Sequence, residues 1–144
     1  MRSVSHKSNS AHYRADACVV WCFDNRFTSL LGAFMKKQKL RHVDLVKIAG
    51  GAKDIASPSR ASDRAYLLKQ IAVSIRLHRT RKIILMAHEE CGAYDGTRDK
   101  NFYVRELHKA RGIVLRYFPD ADVSVYFADF RELRKIEQKS PRRG

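Results

Sequence analysis

Cysteine is scarce in this chain, and the scarcity limits what the protein can be. Three thiols in 144 residues, Cys18, Cys22 and Cys91, are too few for a disulfide framework and fit a reducing compartment. No apolar run approaches the ~20 residues that a bilayer-crossing helix requires. No segment repeats. The start, Met1-Arg2-Ser3-Val4-Ser5-His6-Lys7-Ser8, lacks the apolar centre of a secretory signal, so the chain is expected to remain where it is made, in the cytoplasm. Acidic residues are also short: 15 Asp and Glu face 29 Lys and Arg, for a net charge of +14. The basic residues are spread along the predicted helices, with neither an aromatic-interleaved basic run nor a nucleic-acid motif. Specific nucleic-acid recognition is therefore not expected, and the charge implies only non-specific attraction at low salt.

What is present reads as one globular unit. Hydrophobic residues at 44% and charged residues at 31% exclude a disordered chain, and the length suits a single core. Residues 1–14 are polar and aperiodic and read as a flexible basic arm, residues 15–130 as the folded domain, and residues 131–144 as a basic tail that could add a helical turn. A first strand is predicted over 15–23, where the continuous run Ala17-Cys18-Val19-Val20-Trp21 suggests cover on both faces, as in a parallel sheet. Leu30, Leu31, Phe34 and Met35 then make one face of a helix that Thr28 or Ser29 could cap. Further strands are predicted over 43–49, 82–87 and 123–128. Between them lie helices over 63–78, with Ser59 and Ser62 as candidate caps, and over 99–117, ending near Pro119. The alternation describes an α/β domain: a mainly parallel sheet of about four strands, order 2-1-3-4, with helices on both faces.

Two strand ends carry chemistry. The first strand runs into Cys22-Phe23-Asp24-Asn25-Arg26, and alternate residues of an extended segment share a face, so Cys22, Asp24 and Arg26 can enter one space. The third runs into His88-Glu89-Glu90-Cys91-Gly92. Order 2-1-3-4 makes these two strands neighbours and puts the reversal of strand order between them, where ligands of open α/β sheets bind. Cys22, His88 and Cys91 then form a Cys2His set for zinc with a fourth position open, the pattern of a catalytic rather than a structural site. Cys18 would sit about 13 Å back along its strand and is expected in the core. Gly50-Gly51 follows the second strand and reads either as a simple turn or as a loop bordering the site. Gly50, Gly51 and Gly92 are the candidates to line a substrate pocket. Glu89 and Glu90 read as solvated turn residues, and His42, His78 and His108 as surface groups.

Cys-x-Asp-x-Arg at residues 22–26 together with His-x-x-Cys-Gly at 88–92 resembles the β-class carbonic anhydrases, and the likeness extends loosely over residues 15–128. It departs from the family in its short length, in lacking the long N-terminal helical arm that often wraps a partner, in Ala87 where Gly commonly precedes the His, and in Gly51 where Asn is frequent. The resemblance implies zinc bound by Cys22, His88 and Cys91, with Asp24 and Arg26 as a catalytic pair. It also implies reversible hydration of carbon dioxide to bicarbonate by zinc-bound hydroxide, in a homodimer or dimer of dimers without a membrane partner. Zinc lowers the pKa of its water enough to make hydroxide near neutrality. Asp24 would accept a hydrogen bond from that hydroxide and Arg26 would hold Asp24. The same scaffold also suits a hydrolase of carbonyl sulfide or carbon disulfide, and a catalytically silent zinc protein is the third reading. Mere zinc binding has no need of Asp24 and Arg26.

Overall fold

The computed structural model describes residues 2–138. Five strands, β1 (Ala17–Cys22), β2 (Val43–Ile48), β3 (Lys82–His88), β4 (Asp122–Ala128) and β5 (Leu133–Lys135), form one sheet of order β2-β1-β3-β4-β5. The first four are parallel and β5 runs antiparallel to β4. The helices are α1 (Thr28–Lys37), α2 (Lys53–Ala56), α3 (Ala61–His78) and α4 (Lys100–Tyr117).

The apolar runs end where the chain needs cover from both sides. Every residue of β1 is buried, as are all of β3 after Lys82. On β4, Tyr126 packs on Phe34 of α1 while its neighbour Phe127 packs on Tyr103 of α4. Successive strand residues face opposite sides of a sheet, so α1 and α4 cover different faces. Ile55, Leu67, Ile71, Leu107 and Val114 fill the helical side of the core. Among the described residues, no helix is long and apolar enough to cross a membrane.

Several local expectations are corrected. The helical turn expected after residue 130 is instead β5, with Leu133 opposite Ala128, which brings the sheet to five strands. A three-residue edge strand has too few residues for a period to show, and Arg134 and Lys135 are affordable there because they face solvent. Neither Thr28 nor Ser29 caps α1: Phe27 occupies that position, and the capping carboxylate is Asp24, one turn earlier, on the 3-10 turn Asn25–Phe27. Likewise α3 starts after Arg60, whose N–H donates to Asp63 at 3.3 Å, and not after Ser59 or Ser62. Residues 2–14 carry no helix or strand, yet Tyr13 is docked. Its hydroxyl donates to Asp44 Oδ1 at 2.6 Å and its ring lies against His42 and His78. His78 Nδ1 is in turn 2.7 Å from Asp44 Oδ2. His42, exposed as expected, and His78, half-buried, both belong to this cluster.

Candidate active site

The crevice arises where two neighbouring strands part. Register between β1 and β3 runs from Cys18 opposite Ile83 to Val20 opposite Leu85 and goes no further. Beyond it, the Met86 carbonyl has no partner on β1. It accepts from the Ala52 N–H at 3.0 Å, supplied by the loop after β2. Gly51 is what lets that loop in: it has φ of 57°, and a Cβ there would stand 2.4 Å from the Met86 oxygen and 3.2 Å from the Cys22 nitrogen. The Gly50-Gly51 loop therefore runs against the ends of β1 and β3, beside Cys22. Gly50, with φ of 82°, packs close to Lys53 and Ala93, whereas nothing lies within 4 Å of a Cβ at Gly92.

Into this gap project Cys22 from the end of β1, His88 from the end of β3 and Cys91 from the turn that follows. Their ligand atoms lie within 4.8 Å of one another, and all three residues are buried. Cys18 is buried elsewhere in the core, outside the cluster, and its thiol is pushed up to about 11 by that burial. His88 is oriented by its surroundings: Nδ1 lies 2.7 Å from the Glu89 carbonyl and Phe27 stacks on the ring at 4.3 Å. A carbonyl can only accept, so Nδ1 carries the proton and the Nε2 lone pair faces the thiols. That Nε2 is buried and has no hydrogen-bond partner. An orphaned imidazole nitrogen beside two thiols is what a metal would satisfy, and two sulfurs with one nitrogen suit zinc.

Asp24 and Arg26 stand at the rim. Arg26 grips the Asp24 carboxylate with Nη2 at 2.8 Å from Oδ2 and Nε at 3.1 Å from Oδ1, while its own N–H donates to Oδ1 at 2.9 Å. Oδ2 is 3.8 Å from His88 Nε2, so the carboxylate reaches the edge of the cluster.

A family model described as "Putative carbonic anhydrase" matches residues 13–137. The chain belongs to this family. The fold agrees with solved carbonic anhydrases. Isoform I of the β-carbonic anhydrase of Trichomonas vaginalis is 12% identical, with a TM-score of 0.62 over 95% of this chain and 90% of that one. The carbonic anhydrase of Streptococcus mutans is 17% identical, with a TM-score of 0.58 over 92% and 88%. A β-carbonic anhydrase of Sordaria macrospora, described as tetrameric, is 11% identical, with a TM-score of 0.60 over 88% and 82%. No curated protein matches the chain.

Within this carbonic anhydrase fold the site's charges are coupled. The Cys22 thiol is held down to about 4, first by a hydrogen bond from Cys91 and further by His88, while the same contact with Cys22 and burial push Cys91 up. The two sulfurs thus favour opposite protonation states. His88 is pulled two ways: burial disfavours its charge, whereas the Cys22 thiolate and the Glu89 carbonyl favour it, and the balance lies above its ordinary value. Arg26 holds the Asp24 carboxyl below the usual range.

Several supporting residues were not legible in the sequence. Tyr103, fully buried on α4, accepts from the Cys91 N–H at 3.2 Å and donates to the Thr97 carbonyl at 2.7 Å, which fixes the Cys91 turn. The signal available was slight: an aromatic with a polar tip on a core-facing helix position. Trp21 Nε1 donates to the Phe27 carbonyl at 3.1 Å and so steadies the ring that covers His88. Glu90 is more than a solvated turn residue. It adopts φ of 55°, its carbonyl accepts from Arg26 Nη2 at 3.3 Å, and its carboxylate lies 3.9 Å from Arg26 and 3.5 Å from Arg98. The Arg26 guanidinium also sits 5.0 Å from the Phe130 ring.

Proposed function

We propose that the chain is a zinc-dependent carbonic anhydrase that hydrates carbon dioxide reversibly to bicarbonate. The observation that carries this reading is the Asp24 carboxylate, gripped by Arg26 and standing 3.8 Å from the partnerless His88 nitrogen. Cys22 Sγ, His88 Nε2 and Cys91 Sγ would hold the metal. Zinc, when bound, supplies Lewis acidity that lets water lose a proton near neutral pH. The remaining work falls to side chains of this protein. Asp24 Oδ2 accepts a hydrogen bond from the reacting water and orients it toward the substrate carbon. Arg26 fixes Asp24 through its backbone N–H and two guanidinium nitrogens, and Glu90 and Phe130 fix Arg26. The buried faces of Phe27 and Cys22 exclude bulk water from one side of the site. Gly51 and Gly50 line the loop side of the pocket, and Gly92 opens the turn beyond Cys91.

The same reading takes the active form as a homodimer or dimer of dimers in the cytoplasm. Phe23 at 64% exposure and Phe130 at 50% stand close to the site, and β2 is an open edge with Leu45 exposed, which is surface that a second copy would cover. Sedimentation at physiological ionic strength tests that point, since a fully active monomer at micromolar concentration contradicts it. The decisive experiment for the activity measures carbon dioxide hydration beside sulfide release from carbonyl sulfide and carbon disulfide, on protein of known zinc content. Hydration without sulfide release is the expected result. Sulfide release alone would move the assignment to a hydrolase, and neither activity in the zinc-loaded protein would leave a silent zinc site.

A further inference from the structure

The opposite end of the sheet carries a second candidate site. A cleft of about 890 Å³ opens there, lined by Arg14, Arg79 and Arg81, with Tyr117 and Phe118 as an aromatic wall. Two adjoining depressions share Arg14 and Arg79; they add Lys82 and His12, and also Asp16 and Asp122, which do not line the cleft itself. All of these residues precede the amino ends of β1, β3 or β4 or begin β3 or β4. Strands of this length at ~3.3 Å per residue place the cleft on the order of 20 Å from the Cys22 cluster.

The arginines are presented by backbone that is firmly held. On one flank of Arg14 Tyr13 is docked on Asp44, and on the other the Ala15 N–H donates to the His78 carbonyl at 3.0 Å. Arg79 closes α3 with φ of 52°, a left-handed conformation that Gly or Asn adopts with less strain. The Arg81 carbonyl accepts from the Asp122 N–H at 2.8 Å, which ties the turn to β4. Among the described residues, the arginines that meet a carboxylate are Arg26, Arg98 and Arg134, not Arg14, Arg79 or Arg81. Asp120 lines the cleft as its single acid, so the lining is net positive. Cations do complement helix C-termini, but α3 already has Arg76 and His78 in its last turn and α4 has Arg116. Three more guanidiniums converging on one cleft exceed that need.

Guanidiniums match phosphate oxygens, an exposed aromatic ring matches a base, and the volume lies within the ~300–1,000 Å³ usual for small-ligand sites. Tyr117 is 60% exposed and so available for stacking. We propose that this cleft binds a nucleoside polyphosphate, with its phosphates on Arg14, Arg79 and Arg81 and its base against Tyr117. It is a separate site from that of carbon dioxide, and the proposal stands whether or not the chain hydrates carbon dioxide.

The test is calorimetric titration of the zinc-loaded full chain at 0.15 M salt with ATP, inorganic triphosphate and adenosine as separate probes. ATP is expected to bind at least ~10-fold tighter than either of the others. Arg79→Gly combined with Arg81→Ala should weaken ATP by about 10-fold or more with zinc content unchanged, since Gly accepts the left-handed backbone of position 79. Tyr117→Ala should weaken ATP and leave triphosphate alone, and it carries the test if the double variant folds poorly. Triphosphate binding as tightly as ATP, ATP binding indifferent to these variants, or no ATP binding at millimolar concentration would each overturn the proposal.

Discussion

Replacing Asp24 with Asn separates catalyst from mere metal site, because the substitution removes charge while keeping shape. In the parent, Oδ1 accepts from the Arg26 N–H at 2.9 Å and caps the 3-10 turn Asn25–Phe27, while Oδ2 pairs with Arg26 Nη2 at 2.8 Å. An Asn oxygen can keep the cap, whose loss to Ala costs about 1 kcal/mol. The ion pair adds little to stability, since the Arg26 side chain is 48% exposed and such pairs contribute about 0–1 kcal/mol. Folding of Asp24→Asn should therefore stay within about 1 kcal/mol of the parent. Turnover should not. A carboxylate that orients the reacting water is a preorganised polar group, and its loss should lower hydration by ~10²-fold, equivalent to about 2.7 kcal/mol at 1.36 kcal/mol per decade. Because Arg26 holds the Asp24 carboxyl below the usual carboxylate range, the group is charged throughout pH 7–9 and the deficit should be constant across that window. The measurements are stopped-flow hydration, elemental zinc and urea denaturation on the same preparation. Hydration at the parent rate refutes the orienting role. Loss of zinc from Asp24→Asn refutes it differently, by making the carboxylate a ligand.

Cys22→Ala should fold but purify with less than about a tenth of the parent's zinc, because a ligand set reduced to one sulfur and one nitrogen binds far more weakly; full zinc content would remove the metal site. Gly51→Ala should lower the denaturation midpoint by the equivalent of about 2 kcal/mol or more, as its Cβ would meet the Met86 oxygen at 2.4 Å, while Gly92→Ala, with nothing within 4 Å, should leave it unchanged. Asp44 gives an acid dependence: burial raises its pKa, but hydrogen bonds from Tyr13, Ser74 and His78 outweigh this and lower it. Its contribution is complete above the unfolded carboxylate value of ~3.9 and is lost as pH falls through the lower folded value. Parent and Asp44→Asn should thus differ in stability at pH 6 and converge in strong acid, and a constant difference across that range would count against the network.

The parts of the fold that were legible are those whose residues are determined by burial on both faces. Ala17-Cys18-Val19-Val20-Trp21 has one reasonable conformation in a chain of this length, and its alternation with helical segments points to a parallel sheet with right-handed crossovers. The meeting of Cys22 with His88 and Cys91 was legible because the expected order 2-1-3-4, which the sheet adopts, makes their two strands neighbours. What escaped depends on contacts distant in sequence. Tyr103 reads as a core aromatic on α4, and only the folded chain shows its hydroxyl between Cys91 and Thr97. Tyr13 sits in an aperiodic polar stretch, yet its hydroxyl docks on Asp44, 31 residues away. Glu90 has an ordinary identity and an unusual backbone angle, which no side-chain pattern reports.

The three conspicuous stretches of the chain, Cys22 to Arg26, Gly50-Gly51 and His88 to Cys91, express one constraint. A cluster between β1 and β3 requires those strands to part before their ends, and they part after Val20 and Leu85. Parting exposes the Met86 carbonyl, which buried without a donor would cost about 1–3 kcal/mol. The Ala52 N–H meets that need, but only a residue without a side chain can pass between the Met86 oxygen and the Cys22 nitrogen, hence Gly51. The loop that repairs the sheet therefore becomes a wall of the site. The cost that remains is concentrated in the cluster itself, in two buried thiols side by side and an imidazole nitrogen with no partner. Apolar residues of the same size would fill this space without that cost. With Tyr103 fixing the Cys91 turn and Phe27 and Glu89 orienting His88, these residues form a cluster whose unmet polar groups a metal ion would satisfy.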